Sequence, residues 1–229
     1  KLKEITPTEG YVVVNYQSIR NYHQNVDLSE DRDFEKESGE FVRASVIPTE
    51  GLKPLRPSVE AGFHSILLKY VIHTHPVYAN MICCSQNGKE LAGEIFKTKD
   101  YGFIWIPYIN PGFMLTLAML REISDYRQNT GKFPQVIFME NHGLVVTADS
   151  ADECIVLHED VNRTIREYFH MDGSFPRIQL EPAGEGVFRS NTQYLKDFFK
   201  GRDITASFFD NTVLYPDQLV YLNGNIAVN

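Results

Sequence analysis

Two histidines one residue apart, in Val71-Ile72-His73-Thr74-His75-Pro76, are the residues of this 229-residue chain best suited to chemistry. The apolar run ahead of them, through Leu67, Leu68, Tyr70, Val71 and Ile72, leads into a strand. In a strand the side chains at i and i+2 leave the same face, so His73 and His75 present their imidazoles side by side. Neutral imidazole is a favoured zinc ligand, and a catalytic zinc takes three protein ligands and keeps a fourth position open. His142, in Asn141-His142-Gly143, is the best third ligand, because Gly143 frees the backbone to turn and site residues collect at loop ends. A buried, hydrogen-bonded pair is the competing role for His73 and His75, and an ordinary turn histidine is the competing role for His142. Glu60 lies one helical turn before His64, in a segment running directly into the His73 strand, which can carry its carboxylate back to that edge. His23, His64, His158 and His170 read as structural or surface residues.

The positioning elements follow from periodicity and punctuation. Tyr11-Val12-Val13-Val14 is β-branched and reads as a buried strand. Residues 27–40 are dense in Asp and Glu and read as an exposed, partly helical excursion. Ser58 is a helix N-cap, followed by Val59, Phe63, Ile66, Leu67 and Tyr70 on one helical stripe. Pro76 opens a buried helix that ends near Asn87-Gly88. Strands are expected at 103–106, 136–139 and 144–147. Helices are expected at 113–126, from the Ser150/Glu153 capping box to about 169, and over 191–199. Residues 214–222 read as a Pro-Asp turn and a closing strand. Strands and helices alternate without strict βαβ regularity, so a layered α/β domain with a mixed or antiparallel sheet is predicted, as one domain over 1–229.

Composition excludes more than it proposes. A net charge of −8 with no basic stripe argues against nucleic acid and anionic membranes. Cys83, Cys84 and Cys154 make an odd count with a vicinal pair, which suits a reducing cytoplasm and not a disulfide framework. The vicinal pair reads as core packing, because adjacent cysteines cannot chelate as CxxC does. No GxGxxG or P-loop is present, and no stretch has the length of a membrane span.

Arg56-Pro57-Ser58-Val59-Glu60-Ala61-Gly62-Phe63-His64, then Val71 to Pro76, then Asn141-His142-Gly143, resembles the class II aldolase/adducin family. The resemblance extends to Ile5-Thr6-Pro7 and to Leu214-Tyr215-Pro216-Asp217, and in detail it is nearest to the aldolase portion of bacterial rhamnulose-1-phosphate aldolase/alcohol dehydrogenase proteins. It implies a three-layer α/β/α fold with a central mixed, mainly antiparallel sheet. It also implies zinc on His73, His75 and His142, Glu60 as the catalytic acid/base, Ser58 on a substrate phosphate, and a homotetramer with sites between subunits. The activity it implies is cleavage of a ketose 1-phosphate of the L-rhamnulose or L-fuculose type into dihydroxyacetone phosphate and an aldehyde. Sugar-phosphate 4-epimerases and a dehydratase share that ligand set, and an adducin-like binding module shares the fold. A zinc hydrolase with Glu60 activating water is a further class. The family's second motif serine is Val59 in this sequence. Its upstream Gly-Asn-x-Ser phosphate segment lies before the position where this sequence begins, so an N-terminally incomplete sequence is expected. Tyr101 and Tyr108 are the candidates for the tyrosine used by the fuculose-type enzymes.

Overall fold

A computed structural model describes residues 5, 6, 8–202, 205, 207, 208 and 213–222. Its elements are, in order, helices α1 (Tyr16–Asn25), α2 (Phe34–Ala44) and α3 (Ala61–Ser65), strand β1 (Tyr70–Thr74), helices α4 (Val77–Cys83) and α5 (Gly88–Phe96), strand β2 (Phe103–Ile106) and helix α6 (Phe113–Thr130). Strands β3 (Val136–Met139) and β4 (Gly143–Ala148), helix α7 (Ala151–Tyr168), strands β5 (Leu180–Gly184) and β6 (Val187–Ser190), and helix α8 (Gln193–Phe199) follow.

The central sheet has the order β1-β4-β3-β2. β1 and β3 both run antiparallel to β4, whereas β2 and β3 are parallel and joined through α6. Helices cover both faces, so β3 and β4 are buried along their whole length and read as continuous apolar runs. Alternation sorts their side chains. Trp105, Phe138, Leu144 and Val146 pack with α4, α5 and α7 on one face. Ile104, Ile106, Ile137, Met139 and Val145 pack with α3 and α6 on the other. The result is an α/β/α sandwich with a mixed, mainly antiparallel sheet.

Two buried polar contacts fix the start of β1. Thr147 Oγ1 donates to the Tyr70 carbonyl at 3.0 Å and accepts from the Leu68 amide at 3.0 Å. Arg20 on α1 donates to the Ser65 and Leu67 carbonyls at 2.6 and 2.9 Å, satisfying groups left open where α3 ends. Helix α3 is only five residues long and has no stability of its own. Buried Phe63, the Arg20 clamp and the absence of a side chain at Gly62 hold it. A Cβ at Gly62 would meet Thr116 Oγ1 at 2.5 Å, so α3 lies directly on α6.

Several elements differ from the sequence reading. Residues 11–14 are no strand: Tyr11 is exposed, and only Val14 bridges, to Val46. β-Branching there reports an extended segment without a sheet to join. The stripe from Val59 to Tyr70 is cut short, with Val59 exposed and Tyr70 already in β1, because the chain must reverse within 66–69 to enter the sheet. Gly88 begins α5 and does not end a helix run. Gln218–Leu222 is a wide π-type helical turn and not a strand. The β5–β6 hairpin has no counterpart among the expected elements. Among the described residues, no helix is long and apolar enough to cross a membrane.

Candidate metal centre

β1 delivers His73 within the strand and His75 one residue beyond it, on the face that carries α3. β3 ends at Met139 and β4 starts at Gly143, so Glu140, Asn141 and His142 make a three-residue hairpin loop. Asn141 takes the left-handed backbone position of that loop, with φ 50°. Gly143 serves a different need from the turning freedom expected of it. A Cβ there would meet His75 Cδ2 at 2.6 Å and the Thr74 carbonyl at 2.7 Å, so its hydrogen lets the two histidine-bearing segments touch. Gly143→Ala is expected to destabilise the fold by about 1–3 kcal/mol and to displace His75. A denaturant titration together with a zinc-affinity measurement checks both effects.

One ring nitrogen from each of His73, His75 and His142 lies within 4.8 Å of the other two, and the ring centroids are 5.0–5.2 Å apart. Nδ1 of His73 lies 3.1 Å from the Leu144 carbonyl, which can only accept, so this nitrogen carries the proton. Nδ1 of His75 lies 3.0 Å from the Asp217 carboxylate. Both rings therefore keep Nε2 for a ligand, the arrangement by which metal-binding histidines are usually held. Glu60, the residue preceding α3, sends Oε1 into the same space, 3.2 Å from His142 Nε2 and 3.5 Å from His73 Nε2. Burial works to raise the Glu60 carboxyl, but the two imidazoles facing it, His142 and His73, outweigh burial and hold the group well below the usual carboxylate range. Three imidazole nitrogens, two of them on rings oriented through Nδ1, with one carboxylate beside them, form a donor set that fits a divalent ion.

His64 borders the centre, its ring 6.0 Å from that of His73. Burial pushes it down to about 4 against an ordinary 6.5. The folded state thus binds the His64 proton less readily than the unfolded chain. Its contribution to stability is complete above about pH 6.5 and is lost as pH falls towards 4. Between pH 7 and 5 this costs about 2 kcal/mol, so His64→Phe should flatten acid destabilisation by that amount in denaturant titrations at the two pH values.

A cavity of about 480 Å³ opens on the centre. Glu60, His75 and His142 form its floor, Tyr108 and Asn141 one side, and Leu214, Tyr215, Leu219 and Val220 of the C-terminal segment the other. Ser58 lies outside it. Its Oγ accepts from the Glu60 amide at 3.2 Å, and it lines an adjoining depression with Arg43 and Arg56. Tyr101 is remote, donating to Asp160 on α7 at 2.9 Å. Cys83 is buried and Cys84 touches the cavity; burial raises both thiols, so neither is a ready nucleophile. Asp217 joins the site as a residue that the sequence pattern does not mark. It stands 142 positions from His75, and the one hint was its place in Tyr215-Pro216-Asp217.

The fold and this centre define a class that the comparisons identify. The family model for the class II aldolase and adducin N-terminal domain matches residues 4–169, and the chain belongs to that family. It is 35% identical over 135 residues, 57% of the chain, to a Bacillus subtilis (strain 168) protein described as the uncharacterized oxidoreductase YuxG. It is 31% identical over 113 residues, 47% of the chain, to the fluorothreonine transaldolase of Streptantibioticus cattleyicolor. The matches span only 18% and 14% of those proteins' lengths. Among solved structures, the N-terminal class II aldolase domain of a conserved Thermoplasma acidophilum protein aligns with a TM-score of 0.53 and 19% identity, covering 70% of this chain and 67% of that one. That likeness speaks to the fold.

Proposed function

We propose that this chain is a zinc-dependent aldolase that cleaves a ketose 1-phosphate of the L-rhamnulose or L-fuculose type to dihydroxyacetone phosphate and an aldehyde. The observation that carries this reading is the convergence of His73, His75 and His142 with the Glu60 carboxylate, where Glu60, His75 and His142 line one cavity. His73, His75 and His142 would hold the zinc. Bound zinc supplies a Lewis acid for the substrate carbonyl, lowering the cost of negative charge on the adjacent carbon. In the cleavage direction the proton released from the hydroxyl that becomes the aldehyde would pass to Glu60, which would return it to that carbon, and in the condensing direction Glu60 would remove it. Its place at the start of a short helix clamped by Arg20 keeps the carboxylate from swinging away. Ser58, two residues earlier, would take the phosphate, and Arg43 and Arg56 in the same depression supply the positive charge.

A homotetramer in a reducing cytoplasm belongs to the same reading. Free Cys83, Cys84 and Cys154 support the compartment. Exposed Phe175, Ile178, Leu180 and Phe188, on and before the β5–β6 hairpin, support contact with other copies. The test is a panel of ketose phosphates with coupled detection of dihydroxyacetone phosphate, run beside a metal analysis. One zinc per chain with release of that product supports the aldolase. Zinc with an epimerised or dehydrated product moves the chain to another chemistry of the family, and purification without zinc points to an adducin-like binding module.

A further inference from the structure

The centre has a tie to the C-terminal segment that the three-histidine set does not require. Asp217 Oδ2 lies 3.0 Å from His75 Nδ1, and both side chains are about three-quarters buried, at 27% and 26% exposure. The stretch that carries Asp217 is also a wall of the cavity, through Leu214, Tyr215, Leu219 and Val220. It is internally braced, with the Leu214 amide donating to Gln218 Oε1 at 3.1 Å and the Gln218 amide donating to the Tyr215 carbonyl at 3.1 Å. A shift of Asp217 therefore moves the wall with it.

We propose that Asp217 is a positioning residue that fixes the His75 tautomer and thereby couples metal occupancy to closure of the C-terminal segment over the cavity. A neutral imidazole can carry its proton on either nitrogen, and only the Nδ1–H form leaves Nε2 free for an ion. A carboxylate accepts and cannot donate, so Asp217 selects that form. An ion on Nε2 draws charge from the ring and makes Nδ1–H a stronger donor, which tightens its bond to Asp217. Coupling between binding equilibria is reciprocal: the factor by which Asp217 strengthens zinc binding is the factor by which zinc strengthens docking of the segment. The inference rests on the metal reading of the three histidines and adds to it that the ion strengthens closure of the substrate chamber.

The test uses the full chain, zinc alone as ligand, and two readouts independent of activity: zinc affinity by chelator competition, and hydrogen exchange of peptides covering 213–222 with and without zinc. Wild type should bind one zinc, and zinc should slow exchange across 213–222. Asp217→Ala should bind zinc about 10–100-fold more weakly and lose the zinc-dependent protection. Asp217→Asn keeps an acceptor and should recover part of the affinity, which a purely structural role would not require. Equal zinc affinity in wild type and Asp217→Ala, or zinc-independent exchange at 213–222 in wild type, would overturn the coupling while leaving the metal reading intact. A wild type that binds no zinc would overturn both. Matching melting temperatures of zinc-free Asp217→Ala and zinc-free wild type separate a lost coupling from a lost fold.

Discussion

Glu60→Gln is expected to keep one zinc per chain and to lose turnover by about 10²–10⁴-fold, with a much smaller change in KM. The amide fills the same volume ahead of α3 and can still hydrogen-bond His142 or His73, so the neighbouring rings keep their places. What it cannot do is accept and return a proton. On the proposed reading His73, His75 and His142 would hold the ion and Glu60 would serve proton transfer, so metal content and turnover should separate. Metal content and steady-state rates on the productive ketose phosphate decide the matter. Wild-type rates in a fully loaded Glu60→Gln protein would remove the carboxylate from the mechanism.

His142→Ala should show the opposite pattern, with loss of the ion itself. Only two nitrogens, both from the β1 end, would remain. The fall in zinc affinity should exceed the 10–100-fold (approximate range) typical for loss of a partner that merely orients a ligand. Thermal melting reads this without any assay of catalysis. Zinc at about a thousand times its Kd stabilises the folded chain by about 4 kcal/mol. For a chain of this size that is a rise of about 8–16 °C in Tm, abolished by a chelator. His142→Ala should melt at the same temperature with and without zinc. The loop itself should survive, since the His142 amide still donates to the Met139 carbonyl at 3.1 Å and the Asn141 amide to the Cys83 carbonyl at 2.8 Å. A zinc-dependent rise equal to that of wild type would show that the ion sits elsewhere.

What could be read from the sequence was what depends on neighbours along the chain. The i, i+2 spacing of His73 and His75 needs only strand periodicity, the apolar runs of β3 and β4 need only full burial, and α7 announces itself through Ser150, whose Oγ accepts from the Glu153 amide at 3.2 Å. What could not be read was pairing across distance. Glu35 sits in a charged run taken as surface, yet its carboxylate accepts from the Phe113 and Met114 amides at 2.8 and 3.1 Å and so caps α6 from 78 residues away. Asp217 is the same kind of contact at larger separation, and no local pattern marks either residue. Residues 11–14 and 218–222 failed for a related reason. β-Branched and aromatic residues favour extended chain, but a strand also needs an edge to pair with, and whether one is in reach is decided by tertiary structure.

The double hydrogen bond of Thr147 to the β1 entry makes the centre sensitive to the parity of insertions. One residue added between Leu68 and His73, with Leu68 and Tyr70 still pinned to Thr147, would turn both imidazoles into the opposite helical layer. Two added residues would restore the face but carry the pair about 6–7 Å past the His142 loop. Insertions in the approach to the histidines are therefore expected to cost the metal centre, whereas insertions in loops away from β1 are not.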